Sequence, residues 1–251
     1  MIIGIVLAAG KGTRFGKKSI NKTTINFFEI PLVCYGTDLF IKTCDRVVVV
    51  VGNNSGDVIR SVGKNKKFIF AYQKKRLGTG HAVRVAVGEI IRRKWNPGKV
   101  CVGMGDHMMF YKPEIIADLA RKINGKRSVI SLITCEHKNP DSLAWGRIIR
   151  NEGGDVTAII EQKYATKKQR KIKELNAGLY CFDFDFLKRA LTKIKKASKS
   201  GEYYLTDIVK VASEVNKCIV AVKVPFKYVG IGINTQGELA ESQKLFKRLN
   251  R

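Results

Sequence analysis

Acidic residues are scarce in this chain. Only 21 Asp+Glu stand against 47 Lys+Arg in 251 residues, a formal net charge of +26 at pH 7. Long hydrophobic runs are missing as well. The most apolar stretches, such as Val47 to Val51, fall far short of the roughly 20 residues of a membrane span, and the N-terminus has no tripartite signal pattern. Secretion and membrane insertion are therefore disfavoured, and a cytoplasmic location is expected. There is no CxxC, which excludes the common zinc-ribbon and zinc-finger patterns. The six cysteines (Cys34, Cys44, Cys101, Cys135, Cys181 and Cys218) lie mostly in apolar segments and read as reduced core thiols. Neither a Walker A loop nor a GxGxxG fingerprint occurs, and internal repeats and low-complexity linkers are absent.

What is present is a globular composition, with 45% hydrophobic residues at a length that suits one large α/β domain or two small ones. The excess charge is compatible with nucleic acid, an anionic membrane surface or a phosphate-rich small molecule, and equally with a solvated lysine-rich surface that has no specific partner.

The first half alternates strands and helices. Met1 to Leu7 reads as a buried strand running into the glycine-rich AAGKGTRFG, and Pro31 to Lys42 has helical spacing. Strands follow at Val47 to Gly52, Phe68 to Tyr72 and Val100 to Met104, with helices near Asp57 to Val62, Gly80 to Arg93 and Pro113 to Ile123. Continuous apolar strands between helices predict a doubly wound, mostly parallel sheet. Ligands of such sheets bind beyond the carboxyl ends of the strands, where AAGKGTRFG, QKKRLGTG and GDHMM would share one crevice. After Ser128 the pattern changes to strand-like pieces at Val129 to Cys135, Trp145 to Arg150, Val156 to Gln162 and Gly178 to Phe182. Helices at Phe184 to Lys195 and Tyr204 to Val215 and a strand near Val220 to Val224 follow, an antiparallel elaboration expected to close over the crevice. Glu238 to Leu249 is a terminal amphipathic helix.

In AAGKGTRF the glycines let backbone N–H groups face an anion, while Lys11 and Arg14 supply positive charge. A plain strand-to-helix turn would have the same glycine content. The block resembles the signature of sugar-phosphate nucleotidyltransferases, and further blocks of that family follow in order. They are Gln73 with LGTGHA (Leu77 to Ala82), Gly105-Asp106, WGRI (Trp145 to Ile148), EQK (Glu161 to Lys163), NAG (Asn176 to Gly178), EYYLTD (Glu202 to Asp207) and GIN (Gly232 to Asn234). Together they are most similar to the uridyltransferase domain of the bifunctional N-acetylglucosamine-1-phosphate uridyltransferases.

The resemblance implies a Rossmann-like fold of the nucleotide-diphospho-sugar transferase type. It implies one nucleotidyltransferase domain over 1–251, with a nucleotide-binding half (1–128), a sugar-binding half (129–235) and a C-terminal helix (236–251). No β-helix acetyltransferase domain is expected, and the chain is expected to act as a monomer or a catalytic-domain dimer. The implied reaction is Mg²⁺-assisted transfer of a uridylyl group from UTP to a sugar 1-phosphate, N-acetylglucosamine 1-phosphate above others. The implied nucleotide-binding residues are Leu7, Ala8, Ala9, Gly10, Lys11, Gly12, Thr13, Gln73, Gly78 and Thr79. Arg14 and Lys22 are implied as catalytic, Gly146, Glu161, Asn176 and Tyr204 as sugar-binding, and Asp106 and Asn234 as metal ligands.

Each has a plainer alternative: a surface lysine at Lys22, a strand end at Gln73, a helix cap or turn at Asp106, a Glu161 paired with Lys163, and core tyrosines at 203 and 204. Departures from the family pattern are Asn21 where proline precedes the lysine, His107-Met108-Met109 after the aspartate, and Met104, Trp145 and Ala177 near the sugar. The alternative of another class is a catalytically inactive protein of this fold that binds nucleic acid or regulates. No RRM, KH or helix-turn-helix signature favours that reading. Neither half of the chain suggests a membrane partner.

Overall fold

The computed structural model describes residues 1–10, 21–52, 55–125 and 127–250. Among them, strands β1 (Ile2–Ala8), β4 (Arg46–Val51), β5 (Phe68–Tyr72) and β6 (Lys99–Met104) pair in parallel in the order β5-β4-β1-β6. Their side chains divide strictly by parity. Ile3, Ile5, Val48 and Val50 join the core on one face, and Val6, Ala8, Val47, Val49 and Val51 the core on the other. Burial on both faces explains why these strands read as unbroken apolar runs.

Helix α3 (Thr79–Arg92) covers the first face through Val83, Ala86 and Ile90, beside α6 (Phe184–Lys193) and α7 (Asp207–Glu214). The opposite face is covered by α1 (Leu32–Thr43), through Val33, Leu39 and Phe40, and by α4 (Pro113–Lys122), through Ile116 and Leu119. A short helix α2 (Ser55–Val62) lies between β4 and β5. The chain is thus doubly wound, as the alternation predicts.

The second half continues the same sheet. Strand β10 (Glu174–Asp183) runs antiparallel between β6 and β7 (Ser128–Glu136), and β11 (Cys218–Lys223) pairs parallel to β7 at the edge. Only the hairpin of β8 (Arg147–Arg150) and β9 (Val156–Ile160) leaves the main path, hanging from β10 at Leu175–Arg147. The antiparallel elaboration therefore consists of β10 and this hairpin, while β7 and β11 extend the parallel direction.

The pairing of β10 with β7 is irregular between Asn176 and Tyr180, and Gly178 there takes φ +73°. This bulge swings Asn176 and Ala177 toward the carboxyl ends of the parallel strands. A four-residue helix α5 (Lys167–Arg170) and a two-stranded ribbon, β2 (Asn26–Phe27) with β3 (Ile30–Pro31), complete the connections. Helix α8 (Gln236–Leu249) docks on that ribbon, with Phe246 edge-on to Phe27 and Phe110 at ring centroids of 5.4 and 5.3 Å. No helix among the described residues is long and apolar enough to cross a membrane, and all six cysteines are unpaired.

Candidate active site

At the carboxyl ends of β1, β5 and β6, beside the amino-terminal half of the antiparallel β10, the loops enclose a crevice of about 620 Å³. Its wall includes Leu7, Ala9, Gly10, Lys22, Gln73, Gly78, Thr79, Asp106, Gly146, Glu161, Asn176, Tyr204 and Asn234. These residues span the whole sequence, and every one of them is a residue the family resemblance selects. Ala8 is the exception. It is fully buried in β1 and contributes its backbone carbonyl, which accepts from Asn21 Nδ2 at 2.8 Å. Lys11, Gly12, Thr13 and Arg14 lie outside the described residues.

Lys22, Asp106 and Asn234 meet on one side of the crevice. Lys22 Nζ makes an ion pair with Asp106 Oδ2 and donates to Asn234 Oδ1 at 2.7 Å. Asn21 holds the lysine there. Besides its bond to Ala8, its Oδ1 accepts from the Thr23 amide (3.1 Å) and hydroxyl (2.9 Å), capping the 3-10 turn Lys22–Thr24. An asparagine does here, by side-chain hydrogen bonds, what a proline would do by its fixed φ. Asp106 follows β6 and is pinned to the C-terminal loop, since the Ile233 amide donates to its carbonyl at 3.1 Å. Asn234 is tied in turn through its own amide to Glu238 Oε2 of α8 at 2.7 Å. A carboxylate and an amide oxygen thus converge on one cationic group. That donor set suits Mg²⁺, which takes hard oxygens and completes its shell with water and phosphate. The Lys22 ammonium marks where a cation sits against both oxygens.

His107, next to Asp106, belongs to the wall and the core rather than to this cation point. Its ring lies 4.7 Å from the Trp145 ring, and Nε2 lies 3.3 Å from the Gly230 carbonyl. Burial pushes the imidazole pKa down, against the nearby Asp106 charge, so the ring is neutral. Met108 explains the rest of the unusual tripeptide. Its sulfur fills a slot beside Gly103 of β6 and Gly36 of α1, where an added Cβ would come within 2.3 and 2.7 Å of it.

On the β5 side, Gln73 is 4% exposed, and its amide Nε2 donates to the Gly78 carbonyl and to His81 Nδ1, both at 3.0 Å. Burial, with the Arg84 charge, pushes the His81 pKa down, which keeps that ring nitrogen free to accept. Gly78 caps α3 at φ +90°, and a Cβ there would meet the Tyr203 carbonyl at 2.5 Å. The loop is stitched to the segment 203–205 by three bonds. Tyr203 N donates to Leu77 O (2.7 Å), Gly80 N to Tyr203 O (2.8 Å), and Leu205 N to Thr79 Oγ1 (3.0 Å). The LGTG block therefore ties the first half of the chain to the second as well as facing the crevice.

The third side holds Gly146, Glu161, Asn176 and Tyr204. Glu161 Oε1 accepts from Thr206 Oγ1 at 2.9 Å, while Lys163 turns away to Glu202 at 3.6 Å. The salt-bridged alternative for Glu161 is thereby excluded. Burial raises the Glu161 pKa against the lowering effect of that hydroxyl. Asn176 Nδ2 donates to the Tyr180 hydroxyl (2.6 Å), and its backbone amide to Gly146 O (2.9 Å). Tyr204 is half-buried, with its hydroxyl bonded to Glu202 and 2.8 Å from Ser200 Oγ; burial and the Glu202 carboxylate raise its pKa. Sequence reasoning missed the support beneath these residues. Arg147 is fully buried and donates to the carbonyls of Pro140 (2.8 Å) and Leu143 (3.2 Å), fixing the loop that delivers Gly146. An arginine beside the WG pair was the available signal.

A family model described as nucleotidyl transferase matches residues 3–228. Among curated relatives, the bifunctional protein GlmU of Caldicellulosiruptor saccharolyticus is 38% identical over 98% of this chain and 52% of its own length. Those of Acetivibrio thermocellus (34%) and Geobacter metallireducens (33%) also match, over 98% and 100% of this chain and 52% of their own lengths. The chain thus spans about half the length of the curated relatives it matches. A crystal structure of a putative glucose-1-phosphate thymidylyltransferase from Bacillus anthracis superposes with a TM-score of 0.75, covering 98% of this chain and 95% of that one. At 18% identity that likeness shows the fold, a Rossmann-like nucleotidyltransferase sheet.

Proposed function

The chain belongs to the nucleotidyl transferase family, and from that premise we propose that it transfers a uridylyl group from UTP to a sugar 1-phosphate, N-acetylglucosamine 1-phosphate above others. The observation that carries this reading is the convergence of the Lys22–Asp106–Asn234 cation point, the Gln73 amide and the Glu161 carboxylate on one crevice of about 620 Å³.

An oxygen of the sugar phosphate attacks the α-phosphorus. A new P–O bond forms as the bond to the bridging oxygen breaks, and pyrophosphate leaves in line. No covalent nucleophile is needed, so the protein's contribution is positioning and charge neutralisation. Gln73 and Gly78 hold the uracil through a carbonyl and backbone groups, which complement the base without net charge. The backbone of 7–10 approaches the triphosphate, and Lys11 and Arg14 are assigned to its phosphates on the family pattern alone. Lys22, held by Asn21, brings positive charge to the acceptor phosphate. Glu161 and Asn176 bind sugar hydroxyls, and Tyr204 shapes that side. Asp106 and Asn234 would hold Mg²⁺, which supplies electrostatic stabilisation of phosphate charge. The chain is read as a cytoplasmic protein that is a monomer or a dimer of catalytic domains, with a nucleotide half up to about residue 128 and a sugar half beyond.

The test is incubation with UTP, Mg²⁺ and a panel of sugar 1-phosphates, following pyrophosphate. Release is expected with N-acetylglucosamine 1-phosphate and is abolished by EDTA; silence with the whole panel ends this reading. The inactive, nucleic-acid-binding alternative is not favoured by the assembled crevice. Steeply salt-dependent RNA binding with no turnover would revive it.

A further inference from the structure

Arg76 lies in the loop between β5 and α3 and lines the crevice. Its Nε is shut off from solvent and has no hydrogen-bond partner, the one such buried side-chain atom among the described residues. No ion pair or hydrogen bond to its guanidinium is found among the described residues either. Buried donors are nearly always satisfied, and leaving one empty costs about 1–3 kcal/mol. A donor so placed at the wall of a ligand site is explained by an acceptor that arrives with the ligand.

The sheet order says which part of the ligand that is. Arg76 sits beyond β5, three strands from β6, which carries Asp106. At about 4.8 Å per strand this is roughly 14 Å from the cation point. Its neighbour in the loop is Gln73, whose two amide hydrogens are already given to Gly78 O and His81 Nδ1. The carbonyl oxygen of Gln73 is what remains for a ligand. One acceptor and one unused donor then both belong to this loop, on the β5 side of the crevice. An imide edge, an N–H beside a carbonyl, is the chemical complement of that pair. Cytosine in the same pose would set its ring-nitrogen lone pair against the Gln73 carbonyl and its amine against the Arg76 guanidinium, a mismatch at both points.

We propose that Arg76 is a specificity residue that donates to a carbonyl oxygen of the pyrimidine base, completing with Gln73 a two-point reader that prefers uracil to cytosine. This rests on the uridylyl reading above and adds a residue to it.

The experiment compares wild type with Arg76→Ala and Arg76→Lys, measuring KM and kcat for UTP, dissociation constants for UTP and CTP by competition, and Tm. Arg76→Ala is expected to raise the UTP KM and Kd at least ~10-fold, the scale of a lost hydrogen bond from a charged group. CTP binding should change little, so the UTP-to-CTP preference narrows, and Arg76→Lys should restore only a small part of it because the planar fork is gone. Tm should stay unchanged or rise, since a buried donor without a partner is removed; a clear fall would mark a packing role and count against the proposal. Equal losses for UTP and CTP that lysine repairs would assign Arg76 to the phosphates and overturn it. If wild type uses UTP and Arg76→Ala behaves identically, this inference alone fails. If wild type neither binds nor uses UTP, the uridylyl reading fails with it.

Discussion

Single residues carry opposite loads in this crevice. Glu161 is the clearest case, because burial raises its pKa in the folded chain. A carboxyl whose folded pKa lies above its unfolded value, near 4.3, stabilises the fold fully below that value, and the contribution is lost as pH rises through the folded pKa. Ionising the group is thus a local cost, retained for function. Glu161→Gln should have a higher Tm than wild type at pH 8, the gap closing toward pH 4, while turnover with the sugar phosphate falls at least ~100-fold. Thermal melts across that range check the sign, and a variant less stable at pH 8 would refute the account. At the cation point, Asp106→Asn should lower kcat by about 100-fold or more, in the range of losing one electrostatic stabiliser, and Lys22→Ala should mainly raise the KM for the sugar phosphate. Steady-state kinetics of both variants separate the two roles. An unchanged Lys22→Ala enzyme would leave Lys22 only its contacts with Asp106 and Asn234.

Elements hold these residues in place through contacts far apart in sequence, and this decides what could be read beforehand. The parallel strands were legible because Val47 to Val51 is buried on both faces and shows it as an unbroken apolar run. The direction of β10 was not, since an apolar strand reads the same both ways and only its partners β6 and β7 define it. The crevice residues were legible as ordered blocks. Their supports were not, because the bonds of Asn21 to Ala8 and of Thr79 to Leu205 span 13 and 126 positions. Gly78 tests the coupling between loop and segment. Alanine there needs φ +90° and places a Cβ 2.5 Å from the Tyr203 carbonyl. The expected cost exceeds about 1–3 kcal/mol, a Tm fall of several degrees at roughly 2–4 °C per kcal/mol for a chain of this size. UTP affinity should be lost together with sugar-phosphate affinity, because the segment 203–205 moves with the loop. Retained sugar-phosphate binding, measured calorimetrically, would show the two sides to be independent.

The whole molecule carries +26 charges, and the crevice accounts for few of them. Among the described residues, one basic cluster shows where some of the rest lies. A second concavity of about 700 Å³ is lined by Lys138, Lys167, Arg170, Lys171 and Lys173 against a single acid, Asp141. Among the described residues none of those four lysines makes an ion pair, and Asp141 is already turned toward the buried Arg147 at 3.5 Å. Like charges this dense repel one another in the compact state, and that repulsion is relieved by salt, whose screening length is about 10 Å at 0.1 M. The same screening weakens the pull of a basic crevice on a nucleoside triphosphate. Raising NaCl from about 20 to 300 mM should therefore raise Tm by several degrees and at the same time raise the KM for UTP. Sucrose in place of NaCl, which strengthens burial without screening, separates the two effects, since it should raise Tm and leave KM unmoved. If Tm falls with NaCl, the few surface ion pairs outweigh the repulsion, and the lysine excess is not a stability cost. If KM is flat while Tm rises, the charge that matters for stability lies away from the crevice, on faces such as this lysine-lined one.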